Sequence, residues 1–238
     1  MKTVKQVMAA LKKKGDAQTR KTYARHGAPE NMFGVKVADM KVIAKQIKGN
    51  QDLAYELFDT GNCDARYLAG LVADGALMTR SRLNQWARDA DWTMVSDWTV
   101  AWVASENVAG PAVALKWMKA KKESIASSGW ATYSSIVSTI ADEELDLAEI
   151  RMLLKTIATD VHSQPDRVRV GMNRFVIAVG TFVAPLTKQA KTTAKKIGKV
   201  TADMGDTACK IPDALAYIEK NEKMGRIGQK RNSVSFQL

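Results

Sequence analysis

The chain has 238 residues, 46% of them hydrophobic and 26% charged, with a formal net charge of +11. That length and apolar content can bury a sizeable core, which excludes a disordered or fibrous protein. Two cysteines, Cys63 and Cys209, lie far apart with no CxxC partner, so neither a disulfide framework nor a zinc site is expected.

Apolar residues recur with a period near 3.6 almost throughout, and no segment alternates as a strand does. The pattern predicts helices over 4–14, 19–25, 38–48, 51–60, 64–72, 81–90, 92–105, 112–121, 124–140, 145–159, 167–183, 188–197 and 213–223. Gly15, Gly27, Gly49, Gly61 and the Gly110-Pro111 pair read as stops between them. Asn50 and Thr79 stand where N-caps belong. Pro165 lies near the start of the helix that contains Phe175. Segment 199–211, centred on Gly205-Asp206, reads equally as a small hairpin or a loop.

Many short helices with short connections suggest stacked antiparallel pairs with one concave face, a helical solenoid. A globular helical bundle is the rival, because no repeat period is crisp. We expect a single domain over 1–225 and a basic tail over 226–238. The longest apolar stretch, 175–186, includes Gly180, Thr181 and Pro185 and is too short to cross a bilayer. The opening residues lack the continuous apolar run of a secretory signal. A cytoplasmic address with no membrane partner follows by default.

Charge is unevenly spread. Residues 1–48 hold 12 Lys and Arg against 3 acids, residues 49–166 hold 10 against 17, and residues 167–238 hold 14 against 5. Two basic ends around an acidic middle favour nucleic acid as the partner, with acidic membranes or acidic proteins as alternatives. Lys188, Lys191, Lys195 and Lys199 follow spacings of three and four and share a face if the helix extends that far. Lys41, Lys45 and Lys48 repeat the pattern, and Arg226, Lys230 and Arg231 add charge in the tail. One such stripe is usually a solvated face, but two with a basic tail point to DNA phosphates.

Between residues 80 and 103 four tryptophans, Trp86, Trp92, Trp98 and Trp102, surround Asp97. A carboxylate facing a groove there could stabilise developing positive charge, whereas one facing inward would cap or pair. Trp98 and Trp102 share a stripe with Val95, the mark of a buried face. Trp92, Trp98, Trp102, Trp117 and Trp130 each read more readily as core than as cleft, and Trp92 and Tyr133 are the aromatics to expect in a cleft if one exists. Arg174, between Asn173 and Phe175 on an apolar helix, needs an acidic partner or a phosphate if buried. No P-loop, GxGxxG, HExxH or nucleophile-elbow pattern occurs, and His26 and His162 read as surface or capping residues.

Several motifs together give the chain an identifiable resemblance. They are Tyr23-Ala-Arg-His-Gly-Ala28, Phe33-Gly-Val-Lys-Val-Ala-Asp-Met-Lys41, Ile43-Ala-Lys45, Asp64-Ala-Arg-Tyr-Leu-Ala-Gly70, the stretch from Trp86 to Asp97, Gly129-Trp-Ala131, and 168–173. In this order and spacing the chain resembles the HEAT-like DNA alkylation-repair family, over most of its length. The resemblance implies an all-α fold, a curved stack of HEAT-like helical pairs (an armadillo-like α-solenoid) whose positive concave face takes duplex or branched DNA. In the family's active glycosylases a carboxylate stabilises the sugar as a cationic N3- or N7-alkylated purine departs, with tryptophans and an arginine in the same cleft. No metal or cofactor is implied.

The carry-over is partial. The family's aspartate falls on Asp97. Its tryptophan four residues earlier falls on Thr93, and the adjacent Trp92 is displaced by about 100° around an ideal helix. The cleft arginine falls on Tyr133 and the second cleft tryptophan on Arg174. Asp97, Trp92 and Tyr133 are therefore the candidates for catalysis. The DNA contacts expected are Lys41, Lys45, Lys48, Arg174, Lys188, Lys191, Lys195, Lys199, Arg226, Lys230 and Arg231. The expectation is a DNA-binding relative whose activity on alkylpurines is altered or lost, with non-catalytic recognition of DNA structure or a protein-interaction scaffold as alternatives.

Overall fold

The computed structural model describes residues 1 and 3–233. Thirteen α-helices occur among them: α1 (Val4–Lys14), α2 (Ala17–Arg25), α3 (Val37–Ile47), α4 (Gln51–Asp59), α5 (Cys63–Val72), α6 (Arg80–Asp89), α7 (Ala101–Ser105), α8 (Gly110–Met118), α9 (Glu123–Thr139), α10 (Leu147–Asp160), α11 (Asp166–Phe182), α12 (Thr187–Ile197) and α13 (Ala214–Lys223). They correspond one to one with the expected helices. There is no strand among the described residues, only an isolated antiparallel bridge between Gly15 and Val35. Segment 199–211 is a loop rather than a hairpin.

Helix starts follow local capping chemistry. The side chain of Asn50 accepts the Leu53 N–H at 3.1 Å and that of Thr79 accepts the Arg82 N–H at 3.2 Å. Asp16, Asn62 and Asp213 cap α2, α5 and α13 in the same way, each satisfying an amide that has no partner inside the helix. One expectation is corrected here: Gly110-Pro111 opens α8 instead of separating elements. Proline in a first turn loses no helical hydrogen bond, because that N–H has no partner anyway. A second correction concerns 92–105, where the chain widens into a π-helical turn, Val95–Val100, before α7.

The described chain divides into two compact units. Among the described residues, the first comprises those up to 109 together with 204–208, and the second 110–203 and 209–233. In the first, α4 packs on α5, α3 on α5, and α5 on the π-helical turn. Its core includes Leu57, Phe58, Leu68, Leu83 and Trp86, all fully buried, with Phe58 stacked on Trp86 at 4.0 Å between ring centroids. In the second, α8 packs on α9, α9 on α11, α10 on α12, and α11 on α12 and α13. Phe175 sits at its centre, edge-on to Trp130 and Tyr133 and close to Ile150, Leu154 and Ile157 in one continuous cluster. No single helix is long and apolar enough to cross a membrane.

The strongest constraint in the first unit is Asp64. It is 1% exposed, and its carboxylate accepts three consecutive backbone amides, from Phe33 (2.6 Å), Gly34 (3.1 Å) and Val35 (2.8 Å). Such a fan of donors is what makes a buried carboxylate tolerable. Gly34 is required in that loop. Its φ of +78° is left-handed, and a Cβ would lie 2.6 Å from the Arg20 backbone nitrogen. Replacing Asp64 by alanine orphans three amides, each worth about 1 kcal/mol or more when buried. We expect Asp64→Ala to destabilise the protein by about 3 kcal/mol and to lower Tm by roughly 6–12 °C in a thermal melt followed by circular dichroism. A shift of under about 2 °C would show that the loop does not depend on this carboxylate.

Candidate nucleic-acid interface

Asp97 lies inside the π-helical turn and is half-buried. The Ser96 hydroxyl, fully buried, donates to Asp97 Oδ1 at 2.7 Å. Single π-helical turns inside helical segments are rare and concentrate at functional sites, and this one is held from several sides. Gly70 on α5 approaches so closely that a Cβ would meet the Thr99 side chain at 2.6 Å. Tyr67, also on α5, sits edge-on to Trp102 at 5.5 Å, and Trp102 sits edge-on to Trp98 at 5.9 Å.

Trp92 fixes the entry to the turn. Its indole N–H donates to the His26 carbonyl at 3.0 Å, and its ring packs against Tyr23 at 5.1 Å. The Tyr23 hydroxyl in turn donates to the Val35 carbonyl at 3.1 Å, inside the loop that Asp64 holds. Burial, with the nearby Asp64 charge adding to it, raises the Tyr23 phenol above its ordinary value, which keeps this donor protonated. The Tyr23–Ala28, Phe33–Val35 and Asp64–Gly70 motifs are thus successive supports beneath the segment that presents Asp97.

Two of the three residues expected at a catalytic cleft have packing roles. Trp92 is 3% exposed and occupied as described. Tyr133 is 2% exposed, edge-on to Phe175, and its hydroxyl is hydrogen-bonded to the Glu149 carboxylate. Burial and that bond hold its phenol far above the ordinary value, so it is a neutral donor in the interior of the second unit. The expectation of open aromatic faces at these two positions is corrected: helix-pair packing covers both rings. Asp97 is half-buried and is engaged in further interactions besides the Ser96 bond. Ser96, which orients it, was not singled out from the sequence, where a serine beside an aspartate carries no signal.

The basic residues divide by environment. Lys45, Lys48, Arg174, Lys188, Lys195, Lys199, Arg226 and Arg231 are exposed, and their side chains make no ion pair or hydrogen bond among the described residues. Arg174 therefore stands on the solvent face of α11 and needs no acidic partner. Lys41 is half-buried and engaged in other interactions. Lys191 is paired with Glu222 at 2.8 Å and Glu219 at 3.8 Å, and the Glu222 bond raises its pKa. Lys230 is pinned to Asp142 at 2.8 Å and to the Val137 carbonyl at 2.9 Å, so this part of the tail is anchored. α12 ends at Ile197, so its stripe is Lys188, Lys191 and Lys195, with Lys199 beyond it.

No group of three His, Cys, Asp or Glu suited to a metal occurs among the described residues. Cys63 is 2% exposed, and burial, reinforced by the Asp64 charge, pushes its thiol up to about 11, which makes it a poor nucleophile.

This architecture, packed helical pairs with exposed cations and a half-buried carboxylate on an aromatic-packed turn, is that of a helical-repeat protein. The model of the DNA alkylation repair enzyme family matches residues 7–217, and the chain belongs to that family. Uncharacterised proteins of Listeria innocua and Listeria monocytogenes are each 30% identical over 226 residues, which is 92% of this chain and 97% of theirs. A solved structure described as a new family of proteins related to the HEAT-like repeat DNA glycosylases, with affinity for branched DNA structures, superposes with a TM-score of 0.90. It is 36% identical and the match covers 98% of this chain and 99% of that one. The fold is therefore the HEAT-like helical stack expected, in preference to a globular bundle.

The two thiols offer a direct check on the packing beneath the site. At pH 8, with a disulfide exchange reagent, we expect the exposed Cys209 to react promptly. Cys63 should react only after denaturation, giving one fast thiol per native chain and two per unfolded chain.

Proposed function

We propose that this protein binds DNA through the phosphate backbone, with branched duplexes preferred, and that it has weak or no activity on alkylated purines. The observation that carries the proposal is the set of eight exposed cations on and just after α3, on α11 and α12, and in the segments beyond α12 and α13, whose side chains make no ion pair or hydrogen bond among the described residues. Unpaired cations release counterions from DNA at no electrostatic cost to the fold, whereas Lys191 and Lys230 would first have to leave their carboxylates. The structural neighbour's affinity for branched DNA supports the same class of ligand here.

The argument against strong glycosylase activity is chemical. Expelling an alkylpurine requires negative charge at the sugar, plus groups that hold the lesion against it. Asp97, oriented by Ser96, supplies the first. The positions that the family resemblance assigns to the second are Thr93, the interior Tyr133 and the exposed Arg174. The alkylated base is cationic before cleavage and leaves neutral, and none of these three positions offers it an open aromatic face.

Two measurements test this reading. If six to ten phosphates are neutralised, DNA affinity should fall by about 10³- to 10⁵-fold between 50 and 200 mM salt. Lys188→Glu with Lys195→Glu should weaken binding uniformly across sequences; affinity indifferent to salt and to these changes would favour a protein-interaction scaffold. Incubation with duplexes carrying N3- and N7-methylpurines should release little or no base. Substantial release that vanishes in Asp97→Asn would instead establish an enzyme.

A further inference from the structure

In the second unit, α11, α13 and the residues after α13 border a groove of about 570 Å³, within the size range of small-ligand sites. Arg174, Arg226 and Arg231 lie along it, with Phe182, Pro212 and Tyr217 supplying apolar surface. No carboxylate is among its lining residues, and none of the three guanidinium groups bonds to anything among the described residues. The lysine-lined groove along α12 differs, because Glu222 stands in it and neutralises Lys191.

The two tail arginines are placed by main-chain bonds and not by their own side chains. The Arg226 N–H donates to the Asn221 carbonyl at 3.0 Å, the Gly228 N–H to the Thr181 carbonyl at 2.8 Å, and the Arg231 N–H to the Ser138 carbonyl at 2.8 Å. Lys230, tied to Asp142, fastens the same stretch. The chain is thus fixed while both guanidinium forks remain available. Beside them Tyr217 is 46% exposed, a large ring left half in water.

Planar cationic forks match phosphate oxygens bidentately, and an open aromatic face stacks any base. A nucleotide carries both groups. We infer that this groove holds one unpaired nucleotide of a DNA strand, its phosphate among Arg174, Arg226 and Arg231 and its base against Tyr217. The inference rests on the DNA-binding reading above and specifies what part of the DNA is recognised. A paired strand offers only phosphates, because its bases are stacked inside the duplex. A gap, a flap or a junction frees a base as well, so the groove would bias the protein toward such structures.

The test compares three fluorescein-labelled probes by anisotropy with the full-length protein: an intact duplex, the same duplex with a three-nucleotide gap, and the single strand. Base stacking of this kind is worth about tenfold in affinity per base. Tyr217→Ala should weaken binding to the gapped probe by about that factor with a much smaller effect on the intact duplex, and Tyr217→Phe should restore the difference. Arg174→Gln with Arg226→Gln should weaken the gapped probe several-fold more than the duplex. A 2-aminopurine placed in the gap should be quenched by the wild type and not by Tyr217→Ala. All of these side chains are exposed, and circular dichroism verifies that each variant is folded. Equal losses on gapped and intact probes, or a gap preference untouched by both sets of variants, would overturn the groove while leaving DNA binding in place. Failure of the wild type to bind any of the probes would overturn both.

Discussion

The capture of three successive amides by the buried carboxylate of Asp64 is the interaction on which the first unit is built. It fixes the 33–35 loop against α5, and Tyr23 reads that position through its bond to the Val35 carbonyl. Trp92 then packs on Tyr23 and bonds to His26, the residue that caps α2. Each step ties one segment to the next through a hydrogen bond or a ring contact. The end of the series is the π-helical turn that carries Asp97. α5 touches it directly through Gly70 and reaches α7, just after it, through Tyr67, so one helix both holds the loop and seats the turn.

This arrangement explains why the motifs that define the family lie apart from the residue that would do chemistry. Tyr23, Phe33–Val35 and Asp64–Gly70 are not at the site; they are the frame for it. A frame of this kind can be kept while the groups projecting from it change. Thr93, Tyr133 and Arg174 stand where the resemblance would place two tryptophans and an arginine, and the surrounding helices accommodate them. Tyr133 joins the Phe175 cluster and bonds to Glu149, while Arg174 turns to solvent. A scaffold that can absorb such exchanges suits recognition of DNA shape as readily as catalysis on a base.

The charge distribution follows the same separation of frame from function. Some cations stabilise the fold locally: Lys14 with Asp39, Lys191 with Glu222 and Lys230 with Asp142. Surface pairs of this sort contribute little stability one by one, but they decide which charges are left to meet a polyanion. Lys230 illustrates the point. By holding the tail to α9 and to Asp142, it positions Arg226 and Arg231 while giving up its own charge.

Helix number, order and caps were legible in the sequence because they depend on neighbours within a few residues: an apolar period, an Asn50 or Thr79 side chain, a glycine stop. The basic stripe on α12 was legible for the same reason, as was the burial of Val95 and Trp102, although Trp98 of the same stripe is only half-buried. The sequence alone therefore determined the helical class, the family and the list of cations. It did not reveal the π-helical turn, since six residues are too few to set their own period apart from that of the flanking helix. Nor did it separate Lys188, which is free, from Lys191, which Glu222 claims from 31 residues away. Only the tertiary structure decided that Trp92 and Tyr133 are interior, that Arg174 is not, and that Tyr217 stands beside three arginines. Those outcomes depend on which helix faces pack together, and contacts between residues far apart in the chain leave no mark on the local pattern of either one.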